Sequence, residues 1–554
     1  MRPFFSATLC LALCLPAIAQ DVKESVPAAI TTASPTLEAA DKSYRSGKFF
    51  DASQQYQLLV KADSTSVPAR VGLVRSYLKL QAVKPAFEAA SAALSANPNA
   101  PELHSVMGDV QFRRGEMGPA EAEYRAALKA DNRNVYAALG LAKIYEAFSL
   151  HRRAYDLLKA AHSIAPNDPE VQRAWMHTLP RSQRINAIEE YMKAPAGDDS
   201  DTSASLAMYL EYLKAIQSRP KHSCELVTKV ESTEVELRPL LIDIHHLHGW
   251  GLEVKINDQK MRLDLDTGAS GLVISRRMAE KANVARVSDE KVSGIGDKGP
   301  VMSYTGYVST IKIGELEFHD CIVDVIDRRT VVDDDGLIGA DVFSNYLVNI
   351  DFPGKKLKLS PLPERPDETA PETASLNTGG EKSDNDGATK EGADVKPEEI
   401  LPKDRFIAPE MQQWTKVFRF GHMLLIPTKV NDGPPKLFLI DTGAFANTFS
   451  TEFAREITKV SRDEEMQVKG ISGYVKEVFT ADKASLSFAH IRQQNEDTVT
   501  FDLSNISRHT GTEVSGILGY ATMAILEVKI DYRDGLVDFV YDAKRTHTEY
   551  MRTK

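Results

Sequence analysis

Two short stretches of the chain share one unusual pattern, and they restrict its fold more than any other feature. Each is an apolar run that ends on aspartate, threonine and glycine, within Leu263–Ala269 and Phe438–Ala444. A carboxylate at the end of a buried run is unfavourable unless it is paired or hydrogen-bonded. Two carboxylates held about 3 Å apart satisfy this together, because they cannot both ionise and so share one proton. The pattern therefore predicts two similar halves that meet at Asp266 and Asp441.

The similarity between the two halves continues beyond these triplets. An apolar element bounded by glycines follows each one, at Gly336–Gly339 and at Gly516–Gly519. Each half then closes on a similar strand, Val348–Phe352 and Val528–Tyr532. The same elements occur twice, in the same order and at nearly the same spacing, which a chance Asp-Thr-Gly would not produce.

At these residues the sequence resembles the retropepsin-like aspartic peptidases, which are built from two all-β lobes. The resemblance implies that Asp266 and Asp441 form a catalytic pair, which activates water to hydrolyse a peptide bond of a polypeptide substrate. It also implies that the next two residues of each stretch support this dyad: Thr267, Gly268, Thr442 and Gly443.

The same resemblance implies which residues contact the substrate. They are the two residues after each glycine and the tips of two flap hairpins: Ala269, Ser270, Ala444, Phe445, Gly294, Ile295, Gly296, Gly470 and Ile471. Serine in one half and phenylalanine in the other predict that one substrate subsite is more apolar. We expect neither a cofactor nor a metal, because a dyad that shares a proton supplies both the base and the acid.

Two alternatives to a single-chain endopeptidase stay open. Each lobe could pair with its copy in a second chain, although the lobe on the same chain has the higher local concentration. Alternatively, the lobes could be non-catalytic and only hold peptide, as part of an envelope scaffold. Replacing either aspartate distinguishes catalysis from scaffolding.

The N-terminal part, residues 35–180, repeats with a period of 34. Ala52, Ala86, Ala120 and Ala154 follow this interval, as small residues do where two helices of a hairpin approach closely. The period resembles tetratricopeptide repeats, with about four copies and a partial fifth, and predicts an all-α solenoid. Such solenoids often hold a protein partner on their concave face. A structural arm packed on the lobes is the alternative.

Composition predicts the remaining segments. The full division is a secretory signal at 1–19, a flexible stretch at 20–34, the repeats at 35–180, a helical connector at 181–230, lobe 1 at 231–363, a disordered acidic linker at 364–405, lobe 2 at 406–545 and a tail at 546–554. The signal predicts a periplasmic or secreted protein, and its apolar core is too short to remain as a membrane span. The length of the linker means that the lobes need not be stiffly connected.

Charge and cysteine content narrow the partners further. The formal net charge is −11 and the pI about 5.7, which argues against nucleic acid as a partner. Outside the predicted signal, the cysteines are Cys224 and Cys321. An oxidising compartment permits a disulfide between them, and two separate buried thiols are the alternative.

The residue after the glycine of each triplet is alanine, as in the retroviral proteases that the sequence resembles, whereas pepsin-like enzymes carry a hydroxyl residue there that hydrogen-bonds the carboxylate. Without that bond the ionised form is less stable, so we expect a raised dyad pKa and activity from mildly acidic towards neutral pH. A pH–rate profile that peaks below about pH 3, as the low pKa values of pepsin's dyad would give, would contradict this expectation.

Overall fold

The protein is described here by a computed structural model that covers most of the chain. The described residues are 35–193, 200–217, 224–243, 246–292, 294–299, 301–326, 335–366 and 401–545. The predicted signal, the stretch after it, most of the linker and the C-terminal tail lie outside these ranges.

The N-terminal part is a run of consecutive helices, as the 34-residue period predicts. They are α1 (Leu37–Arg45), α2 (Phe49–Ala62), α3 (Val67–Lys79), α4 (Val83–Ala96), α5 (Pro101–Arg113), α6 (Met117–Ala130), α7 (Val135–Ala147), α8 (His151–Ile164), α9 (Pro169–Met176), α10 (Arg181–Lys193) and α11 (Ser200–Gln217). We call α1–α11 the helical domain. The predicted architecture, an all-α solenoid followed by two all-β lobes, is confirmed.

Close helix packing explains the period. The repeated alanines are all fully buried: Ala52, Ala86, Ala120 and Ala154. Tyr124 of α6 fills the space beside two glycines, because a β-carbon added to Gly108 or Gly140 would lie 2.6 or 2.2 Å from its ring. A larger side chain at any of these sites would force the helices apart.

Lobe 1 is a closed barrel. Its elements are β1 (Glu225–Leu226), β2 (Thr233–Glu236), β3 (Arg238–Asp243), β4 (His246–Ile256), β5 (Gln259–Asp266), β6 (Leu272–Ser275), α12 (Arg276–Lys281), β7 (Ala285–Val292), β8 (Val301–Ile313), β9 (Leu316–Ile326), β10 (Gly336–Gly339), β11 (Tyr346–Asp351) and β12 (Lys356–Pro361). The order β9-β6-β10-β5-β4-β8 closes where β8 pairs with β9. A disulfide joins Cys224 to Cys321, with the sulfurs 1.98 Å apart, and fastens the entry of the lobe to β9.

Lobe 2 repeats the central part of this arrangement. Its elements are β13 (Thr415–Lys416), β14 (Phe418–Phe420), β15 (Met423–Val430), β16 (Lys436–Ile440), β17 (Thr448–Ser450), α13 (Thr451–Ile457), β18 (Val460–Asp463), β19 (Lys469–Gly470), β20 (Gly473–Tyr474), β21 (Val478–Ala481), β22 (Ala484–Phe488), β23 (Ile491–Asn495), β24 (Thr498–Phe501), α14 (Ser504–Thr510), β25 (Gly516–Leu518), α15 (Tyr520–Met523), β26 (Leu526–Asp531) and β27 (Leu536–Tyr541). β25 lies between β16 and β17, as β10 lies between β5 and β6.

One sheet joins the two lobes. Its order is β13-β27-β26-β11-β12-β2, and its central pair, β11 and β26, comes from different lobes. Ile350 pairs with Val528 and Val348 with Ile530 in this antiparallel register, and all four side chains are fully buried. The lobes are therefore connected by this sheet, whatever the length of the linker.

Two predicted boundaries also need correction. Lobe 1 begins before residue 231, because β1 already pairs with β9 and Cys224 is bonded to the barrel. The predicted linker is too long at both ends. Arg365 forms an ion pair with Asp534 at 2.6 Å, and Arg405 donates to the Asp534 carbonyl at 2.5 Å. Arg365 and Arg405, which composition assigned to a disordered linker, therefore contact lobe 2.

The helical domain packs against lobe 2. Phe148 contacts Phe418 with ring centroids 5.1 Å apart, and Phe112 contacts Phe420 at 6.3 Å. The Thr512 hydroxyl donates to the Phe112 carbonyl at 2.6 Å. The C-terminal ends of α5 and α7 thus pack on β14. This edge of the solenoid packs on the lobes, as the alternative of a structural arm describes.

Within the described ranges, the search for a membrane-spanning helix found none that combines enough length with enough apolar character.

Cutting the chain between the lobes tests how they are held together. We expect a protease site inserted between Gly379 and Gly380 to yield two fragments that co-elute in gel filtration. The shared sheet and the Arg365–Asp534 pair hold them without a covalent link. Uncut protein treated with the same protease is the control, and fragments that separate without denaturant would contradict the expectation.

Candidate active site

The two Asp-Thr-Gly stretches lie at the ends of equivalent strands. β5 ends on Asp266, which lies opposite Gly339 of the parallel strand β10. β16 pairs in the same way with β25, and the Asp441 N–H donates to the Leu518 carbonyl at 3.1 Å. Each of these strands has a paired strand on both sides, β10 and β4 for β5 and β25 and β15 for β16. This pairing fixes the position of the aspartate at the end of each strand.

Reciprocal threonine hydrogen bonds join the two stretches. The Thr267 hydroxyl donates to the Ile440 carbonyl at 2.9 Å and accepts the Thr442 N–H at 3.0 Å. The Thr442 hydroxyl donates to the Leu265 carbonyl at 2.8 Å and accepts the Thr267 N–H at 3.0 Å. Both threonines are buried, so these four bonds form away from competing water.

The structure brings Asp266 and Asp441 close together at the interface of the two lobes. Each carboxyl also faces the glycine of the other stretch. A β-carbon added to Gly268 would lie 2.6 Å from Asp441 Cγ, and one added to Gly443 would lie 2.5 Å from Asp266 Cγ. Only glycine leaves room for the pair here.

Burial sets the charge state of the pair. It raises the pKa of Asp441 well above the usual value, and the neighbouring Asp266 charge raises it further. Burial also raises the pKa of Asp266, against hydrogen bonds from Asp441 and the Gly268 N–H that lower it. The Gly268 N–H lies 2.7 Å from Asp266 Oδ1. Burial and mutual repulsion thus favour a pair that keeps one proton above the ordinary aspartate pKa.

The two glycine-rich tips meet each other. The Ser472 N–H donates to the Ile295 carbonyl at 2.9 Å, and the Gly294 N–H donates to the Ser472 hydroxyl at 3.2 Å. Gly296, with φ +125°, passes so close that an added β-carbon would lie 2.5 Å from the Ser472 carbonyl carbon. Gly470 passes Ile295 just as closely, because a β-carbon added to Gly470 would lie 2.3 Å from the Ile295 carbonyl oxygen.

Each tip also places an isoleucine in the opposite lobe. Ile471 packs against lobe 1 beside Ala269, in a cluster with Val273 and Leu337. Ile295 packs against a lobe 2 cluster that contains Ala444. That cluster includes Met117 and Phe112 of the helical domain, so the domain contributes to the same wall as a flap tip.

The residues after the two alanines differ in their surroundings. The Ser270 hydroxyl donates to Asp341 at 3.0 Å, and the Gly271 N–H donates to the same carboxyl at 2.9 Å. Burial raises the pKa of Asp341 to about 6, against these two hydrogen bonds. In lobe 2, the half-exposed Phe445 instead contacts the ring of Tyr520 at 6.4 Å. One side of the site is therefore polar and the other aromatic.

Sequence reasoning missed two residues at the site, Asp341 and His422. Asp341 could have been noticed as the carboxylate two residues after Gly339, where lobe 2 has Ala521. His422 lies between β14 and β15, and its Nε2 is 3.1 Å from the Gly268 carbonyl. No motif marks His422, because its partner is 154 residues away along the chain.

Comparison with known proteins agrees with this geometry. Residues 252–342 and 426–522, one stretch in each lobe, match the family model of aspartyl proteases. The chain therefore carries two retropepsin-like lobes of the aspartyl protease family behind a helical-repeat domain.

Several known proteins share part of this sequence. DNA damage-inducible protein 1 of Chaetomium globosum is 32% identical over 116 residues, 21% of this chain and 24% of that protein. Its namesake in Neurospora crassa is 31% identical over 131 residues, 23% and 28% of the two chains. The UBA domain-containing protein Mud1 of Schizosaccharomyces pombe is 30% identical over 110 residues, which are 20% of this chain and 32% of that protein. The matches thus span about a quarter to a third of these relatives.

The solved structures that are similar to part of this chain include MamA and TTC0263. The crystal structure of MamA is 20% identical, with a TM-score of 0.20, and covers 32% of this chain and 96% of its own. TTC0263, a thermophilic TPR protein of Thermus thermophilus, is 18% identical with a TM-score of 0.27. That match covers 31% of this chain and 95% of TTC0263.

The raised pKa of Asp441 has a consequence for stability. A carboxyl whose pKa rises on folding stabilises the fold below its unfolded pKa and loses that contribution as pH rises through the folded pKa. We expect Asp441→Asn to raise Tm at pH 7, by about 2 to 4 °C for each kcal/mol of repulsion removed. The gain should vanish below the ordinary aspartate pKa of 3.8.

Calorimetry at pH 7 and at pH 3 measures this difference, with the exposed Asp432→Asn as the matched control. A Tm for Asp441→Asn that is lower than the wild-type value at both pH values would show that the carboxyl stabilises the fold, contrary to the assignment.

Proposed function

We propose that the protein is an aspartic endopeptidase whose two lobes form one active site within a single chain. The observation that carries the proposal is the contact of Asp266 with Asp441. Each carboxyl faces the glycine of the other lobe, beside the reciprocal threonine bonds, and the two glycine-rich tips are hydrogen-bonded to each other. A pair that shares one proton can act as base and acid in the same step.

The single shared proton gives the two carboxyls complementary roles. With that proton on Asp441, Asp266 accepts a proton from water while the water oxygen attacks the peptide carbonyl carbon. Asp441 gives its proton to the carbonyl oxygen, which yields a neutral tetrahedral diol. In the second step the C–N bond breaks, the nitrogen takes the proton from Asp266, and a hydroxyl proton returns to Asp441. Two peptides leave and the single shared proton is restored.

The surroundings of the dyad favour an extended polypeptide substrate with unequal neighbours at the cleaved bond. Ser270 and Asp341 offer hydrogen-bonding groups in lobe 1. Phe445 and Tyr520 offer aromatic surface in lobe 2. We propose that the substrate side chain next to Phe445 is large and apolar. Ile295 and Ile471 would close over the chain from the two tips.

We also propose that the helical domain recruits a protein partner or the substrate on its concave face. One edge of the domain is already used to pack on lobe 2, through Phe112 and Phe148. That contact fixes the solenoid beside the active site, so a polypeptide held by the repeats would be delivered close to the dyad.

The compartment is part of the same proposal. The apolar core and small residues of positions 1–19 indicate export, and the Cys224–Cys321 disulfide suits an oxidising compartment. We therefore propose that the protein works in the periplasm or outside the cell.

Single replacement of each aspartate tests the function. We expect Asp266→Asn and Asp441→Asn, separately, to reduce cleavage of fluorescently labelled casein by about 10⁴-fold or more, since each removes one role of the pair. Circular dichroism should show both variants folded. If both cut casein at the wild-type rate, the lobes act as a peptide-holding scaffold and the proposal is wrong.

A further inference from the structure

His422 makes a contact between the lobes that the proposed mechanism does not use. It follows Gly421, whose φ of +62° allows the tight turn between β14 and β15. The turn directs the imidazole into lobe 1, where Nε2 lies 3.1 Å from the Gly268 carbonyl oxygen. A carbonyl oxygen can only accept, so Nε2 carries the hydrogen and donates.

Gly268 is the residue whose position decides the geometry of the dyad. Its N–H holds Asp266 Oδ1 at 2.7 Å, and its Cα faces Asp441 so closely that an added β-carbon would lie 2.6 Å from Cγ. A shift of Gly268 therefore changes both the hydrogen bonding of one carboxyl and the space available to the other. His422 hydrogen-bonds the remaining polar group of this residue, the carbonyl of Gly268.

The imidazole is neutral over the expected working range. Burial lowers the pKa of His422 to about 4, although the Gly268 carbonyl opposes this shift, and the charges of His509 and Arg419 lower the pKa further. The neutral ring with hydrogen on Nε2 thus persists from mildly acidic to neutral pH.

The hairpin that carries His422 is fixed by the helical domain. Phe420 lies two residues before His422 and contacts Phe112, and Phe418 contacts Phe148. The Phe112 carbonyl is itself held by the Thr512 hydroxyl at 2.6 Å. A continuous series of contacts therefore runs from α5 through β14 and His422 to Gly268.

We propose that His422 is a positioning residue for the Asp266–Asp441 pair and transmits the placement of the helical domain to it. The inference rests on the proposed function, because positioning matters only if the pair is catalytic. The threonine bonds already fix the residue before Gly268, and His422 adds a further bond from lobe 2, on the residue that faces both carboxyls.

Two replacements of His422 test the hydrogen bond. His422→Leu keeps the volume and removes the donor, whereas His422→Gln places an amide donor at similar reach. On a peptide whose cut site has been mapped in casein, we expect His422→Leu to lower kcat about tenfold or more with KM within about twofold. His422→Gln should recover at least half of wild-type kcat. His490→Leu, at the exposed turn between β22 and β23, is the matched control.

The pH profile separates positioning from a purely structural effect. The Gly268 N–H lowers the pKa of Asp266, so a displaced Gly268 should move the acid limb of kcat/KM to higher pH in His422→Leu alone. A variant that only unfolds more easily would lose amplitude without moving the limb. Wild-type kcat and an unmoved limb in folded His422→Leu would overturn the proposal.

A double-mutant cycle tests the link to the helical domain. If Phe112 acts through His422, the kcat losses of Phe112→Leu and His422→Leu should be strongly non-additive. Additive losses would overturn transmission from the helical domain. These outcomes are distinct from failure of the proposed function, which would appear as full activity of Asp266→Asn and Asp441→Asn.

Discussion

The structure depends on holding two carboxylic acids against each other inside the protein. Two buried carboxylates repel strongly in a medium of low polarity, and they tolerate contact only when one of them keeps its proton. Burial raises the pKa of both Asp266 and Asp441, which favours a retained proton. The two carboxyls can approach each other because each faces a glycine from the opposite lobe. The reciprocal bonds of Thr267 and Thr442 hold the lobes together against the repulsion.

Contacts in three other places support this pair. Behind it, β11 and β26 join the lobes in one sheet with buried apolar side chains. In front of it, the tips exchange Ile295 and Ile471 between the lobes. At the side, the helical domain packs on β14 and adds Met117 to the lobe 2 cluster. The lobes are thus fastened on several sides, which suits a site that tolerates little displacement.

Much of this arrangement could be predicted from the sequence, because it depends on patterns of residues that are close together in the chain. The Asp-Thr-Gly triplets, the duplicated strands and the 34-residue period each depend on residues close together in the chain. What could not be predicted depends on contacts between distant segments. His422 hydrogen-bonds a carbonyl in the other lobe, and Arg365 forms an ion pair with Asp534. Neither the composition nor a local motif shows these two contacts. The sheet between the lobes was missed for the same reason, since β11 and β26 carry no sign of which strand they pair with.

The most direct test of the central claim is the stoichiometry of a transition-state mimic. A peptide in which a secondary alcohol replaces the cleaved amide resembles the tetrahedral diol and should bind a proton-sharing dyad tightly. Calorimetric titration combined with sedimentation equilibrium should give one bound mimic per monomeric chain, with binding greatly weakened in Asp266→Asn and in Asp441→Asn. One mimic per two chains, or undiminished binding in both variants, would contradict a dyad formed by the two lobes of one chain.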